Sequence, residues 1–484
     1  MASTDSPTKD ELSFTTFFNI IDGKLIQASS GETRTTRNPA TLEDNPAFPA
    51  SSVEDVNRAV TAAQRAAKSW AALPWKHRQE AVARFADALE AHTEGFSNML
   101  VREQGKTSNE ARGEIYLTVQ FLRGTSVLSL PEEEVIHDDA QRMVIKRYTP
   151  LGVAVGIVPW NYPVFLACQR IGQALVTGNT MILKPSPFAP YCNLKAELGL
   201  QFFPPGVLQS LSGEADLGPM LTDHPGVNVI TFAGSIETGK KIMEACSKTM
   251  KRVILELGGN DPAIVCADVD IATVAPTIAY LAFANSGQIC NLPKRVYVHE
   301  SIYDLFITAM TGYVNNLKLT TDQAVAIGPV SNERQFESMK SLLADTEANN
   351  LAIAAGSTQP PPNKGGYYLL PTLVDNPPDT ARVVVEEPFG PILPVMKWSD
   401  ESEVIQRANN SEYGLGASIW SKDTARAGRI ARELQAGCVW INAHAQLDSK
   451  VPFGGYKQSG IGIEGGLEGL KGYCNVQAIW LKLD

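Results

Sequence analysis

Residues 151–163 read Leu151-Gly152-Val153-Ala154-Val155-Gly156-Ile157-Val158-Pro159-Trp160-Asn161-Tyr162-Pro163. A short β-branched run that stops on proline and asparagine predicts a buried strand breaking into a turn. A membrane-spanning helix would not carry Pro159, Asn161 and Pro163 so close together. Further strands follow at 180–183, 207–211 and 227–232, each ending in Gly, Pro or polar residues and leading into a helical pattern. Strands alternating with helices predict a parallel sheet with crossover helices. In such sheets ligands gather beyond the carboxyl ends of the strands, so the clusters ending these runs are where chemistry is expected.

Upstream, Val82, Phe85, Ala86 and Leu89 fall at helical spacing, and Phe96, Met99, Leu100 and the segment 115–122 continue the pattern. Downstream, a second α/β block runs from about 260 to 458, with strands at 262–266 and 295–299 and a helix at 270–284. Residues 357–366 are a loop by composition. Segments 141–148 and 474–483 alternate polar with apolar residues and read as exposed edge strands.

The 484 residues carry 42 Lys and Arg against 52 Asp and Glu, a formal charge of −10, so no basic field draws in a nucleic-acid backbone. The seven cysteines (168, 192, 246, 266, 290, 438 and 474) form no C-x-x-C pair, and the six histidines are scattered. That pattern fits a reducing compartment and argues against a metal site. The N-terminus is acidic and lacks an apolar h-region. A cytoplasmic protein that binds neither membrane nor nucleic acid is expected.

Several clusters carry chemistry. Cys290 follows Gly287-Gln288-Ile289, and a cysteine becomes a nucleophile where its surroundings lower its pKa; a buried inert thiol is the plain alternative. Glu256 ends the apolar run Val253-Ile254-Leu255 and precedes Leu257-Gly258-Gly259. A carboxylate there is costly to bury and needs an ion-pair partner or a task such as general base catalysis. Asn161 either satisfies its own turn or donates its amide to an oxyanion. Further clusters are Lys184-Pro185-Ser186, Phe232-Ala233-Gly234-Ser235, Glu386-Glu387-Pro388-Phe389 and Pro452-Phe453-Gly454-Gly455.

In this order and at these separations the clusters resemble the aldehyde dehydrogenase superfamily, in its NAD(P)-dependent, hydrolytic type, from about residue 18 to the tail. The resemblance implies an α/β chain. A Rossmann-like cofactor domain would occupy 1–127 and 149–256, a catalytic domain 257–458, and a small β oligomerisation element 128–148 and 459–484. It implies oxidation of an aldehyde to a carboxylic acid with NAD or NADP, through a thiohemiacetal and a thioester on Cys290. Asn161 and the Cys290 N–H would hold the oxyanion, Glu256 would activate water, and Glu464 would relay the proton. The cofactor would lie along Ile157, Pro159, Trp160, Lys184, Ser186, Gly234, Ser235, Leu257, Gly258, Glu387 and Phe389. No G-x-G-x-x-G follows the first strand, so the dinucleotide would instead meet a helix start after Gly234 and Ser235. The aldehyde would pass Phe121, Leu166, Gln169, Ile289, Asn291, His444 and Leu447, whose polar members imply a substrate with a polar feature.

Pro187 stands where many NAD-preferring relatives place a glutamate, which leaves NAD and NADP both open; Ala233 replaces a usual Thr and Ile463 a frequent Arg. Two other readings are an acylating enzyme that passes the thioester to coenzyme A and a non-catalytic binding member. The retained Glu256 argues against the first, and the intact Cys290, Glu256 and Asn161 against the second. A homodimer or homotetramer is expected, joined through the 141–148 and 474–483 strands.

Overall fold

The computed structural model describes residues 12–322, 326–362 and 364–483; the N-terminal residues 1–11 used above lie outside the described residues. The strand Val153–Ile157 is buried throughout, as is its parallel neighbour Thr180–Lys184. Strands covered on both faces lose the polar alternation, which is why their sequence is an unbroken apolar run. Their alternate residues enter different cores. Ala154, Met181, Leu183 and Val229 pack under the helices Trp75–Ala91, Thr93–Gln104, Ser108–Thr125 and Pro163–Val176, whereas Val153, Val155, Ile182 and Ile230 face the helices Val53–Ala71 and Ile236–Ser247.

Eight strands make this sheet, in the order Lys24–Ile26, Asn19–Ile21, Leu208–Ser210, Thr180–Lys184, Val153–Ile157, Val229–Ala233, Arg252–Glu256 and Gly460–Ile461. The central five are parallel. Chain order reverses beside Val153–Ile157: the next strand lies on one side and Val229–Ala233 on the other, which opens a crevice at the carboxyl ends. The two N-terminal strands carry no clear pattern of their own and had no counterpart in the sequence reading.

A second sheet runs Ala352–Ala355, Thr372–Asp375, Ile392–Trp398, Pro293–His299, Asp261–Val265, Gly416–Trp420 and Cys438–Ile441. Here too alternate residues divide between two cores: Ala263, Val265, Val296 and Val298 on one face, Ile264, Cys266, Tyr297 and Ile419 on the other. The described part of 357–366 holds neither helix nor strand.

The alternating segments form a separate three-stranded sheet. Cys474–Lys482 pairs antiparallel with Arg142–Pro150 over nine residues, and Glu134–Asp138 pairs on the other side. The 141–148 segment is therefore the middle strand and not an edge as the sequence implied, because the acidic strand 134–138 had been overlooked. Both outer strands are bare: Glu134–Asp138 is exposed throughout, and on the longer tail strand Val476 is 63% and Trp480 64% exposed. Gly460–Ile461, within the 459–484 span, belongs instead to the eight-stranded sheet. Among the described residues, no helix is long and apolar enough to cross a membrane.

Candidate active site

Glu256 is the last residue of a strand in the first sheet, and five residues later Asp261 begins a strand in the second. Leu257-Gly258-Gly259-Asn260 is the whole connection. Asp261 lies in register with Pro293, three residues after Cys290. Topology alone thus brings Glu256 and Cys290 to the junction of the sheets. The approach is close: a Cβ on Gly259 would stand 2.3 Å from the Cys290 carbonyl oxygen, so only glycine fits there.

The cysteine is held on an unusual turn. Asn285, Ser286 and Gly287 are all left-handed, with φ of 49°, 58° and 74°. A Cβ on Gly287 would meet the Gly390 carbonyl oxygen at 2.2 Å. Such backbone costs roughly 1–3 kcal/mol per residue and persists only where its surroundings over-determine it. Here Glu110 Oε1 accepts the Asn285 N–H at 2.6 Å, and the buried Gln288 side chain donates to the Asn285 carbonyl at 2.9 Å and accepts from Ser331 N–H at 2.9 Å. Cys290 precedes a strand of the second sheet, Pro293–His299, and does not follow one, so the site sits between the carboxyl edge of one sheet and the amino edge of the other.

The electrostatics differ from the expectation of a lowered cysteine pKa. Burial, then the charge of Glu256 and its hydrogen bond, and then Glu387 and Asp261 push the Cys290 thiol well up. Glu256, 6% exposed, is raised to about 7, chiefly by burial, while the hydrogen bond from Cys290 and the charge of Arg170 oppose the rise. Three carboxylates thus act on the thiol, and one of them, Glu256 at the sheet junction, keeps its Oε1 without a hydrogen-bond partner among the described residues.

Asn161 is buried, and its Nδ2 donates to the Gln288 carbonyl at 2.9 Å, two residues before Cys290. That uses one of two amide hydrogens. Glu464 is buried as well; it accepts from Gln173 Nε2 at 2.7 Å and Thr231 Oγ1 at 3.0 Å and lies 3.5 Å from Arg170 Nη2. Both Arg170 and Glu464 act electrostatically on Glu256.

Most of the residues expected to meet a dinucleotide lie at the carboxyl edge of the first sheet, with Glu387 and Phe389 reaching it from the second block. Lys184 is in register with Ile157, which pairs with Phe232, and Ala233 pairs with Glu256. Lys184 is buried, donates to the Pro185 carbonyl at 3.2 Å, and is lowered to about 8 by burial against the pull of Glu214 and Asp216. Ser186 lies beside it, buried, and accepts from Phe188 N–H. Ser235 caps the helix Ile236–Ser247 directly after Gly234. Trp160, after Pro159, stacks edge-on to Phe389 at 5.4 Å. Leu257 N–H donates to the Ser459 carbonyl at 2.8 Å. Glu387 Oε1 accepts from Gly259 N–H at 3.2 Å, and a Cβ on Gly258 would strike its other oxygen. Burial raises Glu387 to about 8 and lowers Lys294 to about 8, each opposed by the other's charge. A switch-point crevice, a capped helix start and a backbone bare of side chains at Gly234 and Gly258 fit a dinucleotide.

On the aldehyde side, Phe121 and Leu166 share one apolar core, Leu447 packs on it, and Phe121 meets Phe165 edge-on at 5.4 Å. Gln169 and Asn291 are buried and Ile289 half-buried. His444 is fully enclosed, with Nε2 3.5 Å from Asp261 Oδ2 and its ring against Trp440, so it meets the site through that carboxylate.

The chain matches the aldehyde dehydrogenase family over residues 26–479. It belongs to that family. Aldehyde dehydrogenase LUC3 of a Fusarium species is 40% identical over 471 residues, covering 97% of this chain and 100% of that one. The NAD+ complex of an aldehyde dehydrogenase from Bacillus cereus superposes with a TM-score of 0.93 at 32% identity, covering 97% of each chain. An NADP-dependent enzyme of E. coli gives 0.94 at 31%, over 98% of this chain and 100% of that one. As an aldehyde dehydrogenase the protein oxidises aldehydes to carboxylic acids with NAD or NADP.

Sequence reading missed the charged residues that hold this dehydrogenase site in place: Lys106, Glu110, Glu114, Arg170, Asp261 and Lys294. Some left a signal. Glu114 interrupts the buried stripe of Ala111, Ile115 and Thr118, and Arg170 is the lone charge in the helix Pro163–Val176. A charge on a buried face needs a partner.

The buried carboxyl makes a direct expectation. Because burial disfavours the charged form, Glu256 should keep its proton well above the ordinary carboxylic range and ionise only near pH 7. Carboxyl-band infrared titration, differenced against Glu256→Gln, reads that midpoint. Cys290→Ala removes the opposing hydrogen bond and should move it higher. A midpoint near 4.5 would contradict the burial described.

Proposed function

We propose that Cys290 is the nucleophile, Glu256 the general base, and Asn161 with the Cys290 N–H the oxyanion-binding pair. The reading is supported by Glu256 and Cys290 lying together at the junction of the two sheets, where Glu256 Oε1 has no hydrogen-bond partner among the described residues, and by Asn161 being tied to the same turn at Gln288. The raised thiol gives its proton to Glu256 as sulfur attacks the aldehyde carbon. The second hydrogen of Asn161 Nδ2 meets the oxygen that gains charge. A dinucleotide, when bound, supplies the hydride acceptor at its nicotinamide. Glu387 and Phe389 would flank that ring and its ribose, while Lys184 and Ser186 would meet the adenosine end and Ser235 with the helix behind it the pyrophosphate. Glu256 passes the thiol proton on to solvent before deacylation. Ionised again above about pH 7, it takes a proton from the water that hydrolyses the acyl group on Cys290, whose sulfur leaves as the thiolate and is reprotonated. Glu464 stands behind Glu256, fixed by Arg170, and relays that proton outward.

Phe121, Leu166 and Ile289 would guide the carbon chain of the aldehyde, and Gln169 and Asn291 a polar group on it. The cofactor and catalytic domains divide at Glu256, in line with the two sheets. The bare tail edge, Cys474–Lys482, fits pairing with a second copy, making a homodimer or a tetramer, and a cytoplasmic location agrees with the free cysteines.

Glu256→Gln should oxidise one equivalent of aldehyde in a rapid burst of reduced cofactor and then turn over about 10²–10⁴-fold more slowly than the parent. Stopped-flow absorbance checks this, and an unchanged steady state would remove Glu256 from the base role. Light scattering should give at least twice the chain mass, and removal of 474–484 should lower it. An active monomer in the parent would refute the tail's part in assembly.

A further inference from the structure

The backbone carbonyl of Asn161 is gripped from below. Lys106 Nζ donates to it at 2.6 Å and Asn285 Nδ2 at 3.2 Å. The Lys106 side chain is wholly enclosed; its Nζ lies 3.4 Å from Glu114 Oε2 and 3.6 Å from the centre of the Tyr162 ring. The other oxygen of Glu114 accepts from Val164 N–H at 2.8 Å and Phe165 N–H at 3.1 Å. One ion pair thus holds every residue from Asn161 to Phe165 except Pro163, which has no N–H to offer. One turn earlier on the same helix, Glu110 holds the Asn285 N–H of the cysteine turn.

A buried ion pair is rarely the most stable filling of a core, since apolar side chains of equal volume often do as well. Here the charges go to one segment, the one that carries the oxyanion donor. An oxyanion contact loses its effect with displacements of an ångström or less. We infer that Lys106 and Glu114 are positioning residues for the oxyanion step, fixing the Asn161 amide relative to Cys290 through the Asn161 carbonyl and the start of the helix Pro163–Val176. This rests on the oxyanion role proposed for Asn161.

A double-mutant cycle on the burst of reduced cofactor tests it. Asn161→Ala should slow the burst about 10²–10³-fold. Lys106→Met should slow it at least about tenfold, leave NAD affinity and aldehyde KM within about twofold, and add less than about twofold in the Asn161→Ala background. Lys106→Met leaves Glu114 a lone buried carboxylate, so Lys106→Met with Glu114→Gln goes through the same cycle with the same expectation, and decides the matter if the single variant does not fold. Losses that multiply in full, or an unslowed burst in the Lys106 variants, would overturn the positioning role and leave Asn161 standing. A normal burst in Asn161→Ala would remove the oxyanion reading and this proposal together.

Discussion

A buried carboxyl stands beside a half-buried thiol at the point where two sheets are joined by four residues. Much of the site follows from that contact. It requires a connection bare of side chains at its centre, so Gly258 and Gly259 lie between Glu256 and Asp261, and a Cβ at either would strike Glu387 or the Cys290 carbonyl. It requires the cysteine turn to be held against its own preference, so Glu110 and Gln288 take its polar groups. Asn260, the last residue of the connection, donates to the carbonyls of Val384 and Val385 and so places Glu387 two residues on.

The same closeness sets the chemistry. Burial first, and then Glu256, Glu387 and Asp261 around it, raise the Cys290 thiol, the reverse of a thiolate stabilised by cations or a helix start. In the proposed reading the site is poised by a base and not by a preformed anion, and Glu256 at about 7 would be matched to neutral pH for taking a proton from sulfur or water. Lys294 and Arg170 keep the cluster of carboxylates from being wholly negative, Lys294 beside Glu387 and Arg170 beside Glu464.

How far the sequence foretold this depended on range. The doubly covered strands were legible because burial on both faces leaves an unbroken apolar run, as in Val153–Ile157. The turns were legible because proline and glycine mark them, and the order of the clusters carried the family resemblance. Short strands at Asn19–Ile21 and Glu134–Asp138 were not: Ile20 pairs with Ser210 far along the chain, and Glu134–Asp138 forms a hairpin strand that is exposed throughout and has no polar–apolar alternation. The raised cysteine was not legible either. Its causes are burial and then three carboxylates from positions 256, 261 and 387, which meet only in the folded chain. Lys106 looked like any surface lysine, although it is among the most completely enclosed of the large side chains.

The central claim is that the acyl group is carried on Cys290 and released by Glu256. Intact-mass and peptide mass spectrometry of Glu256→Gln, quenched after mixing with aldehyde and NAD, tests it most directly. The expected result is one acyl adduct per chain, on the peptide containing Cys290. An adduct on any of the other six cysteines, or none while reduced cofactor accumulates, would contradict it.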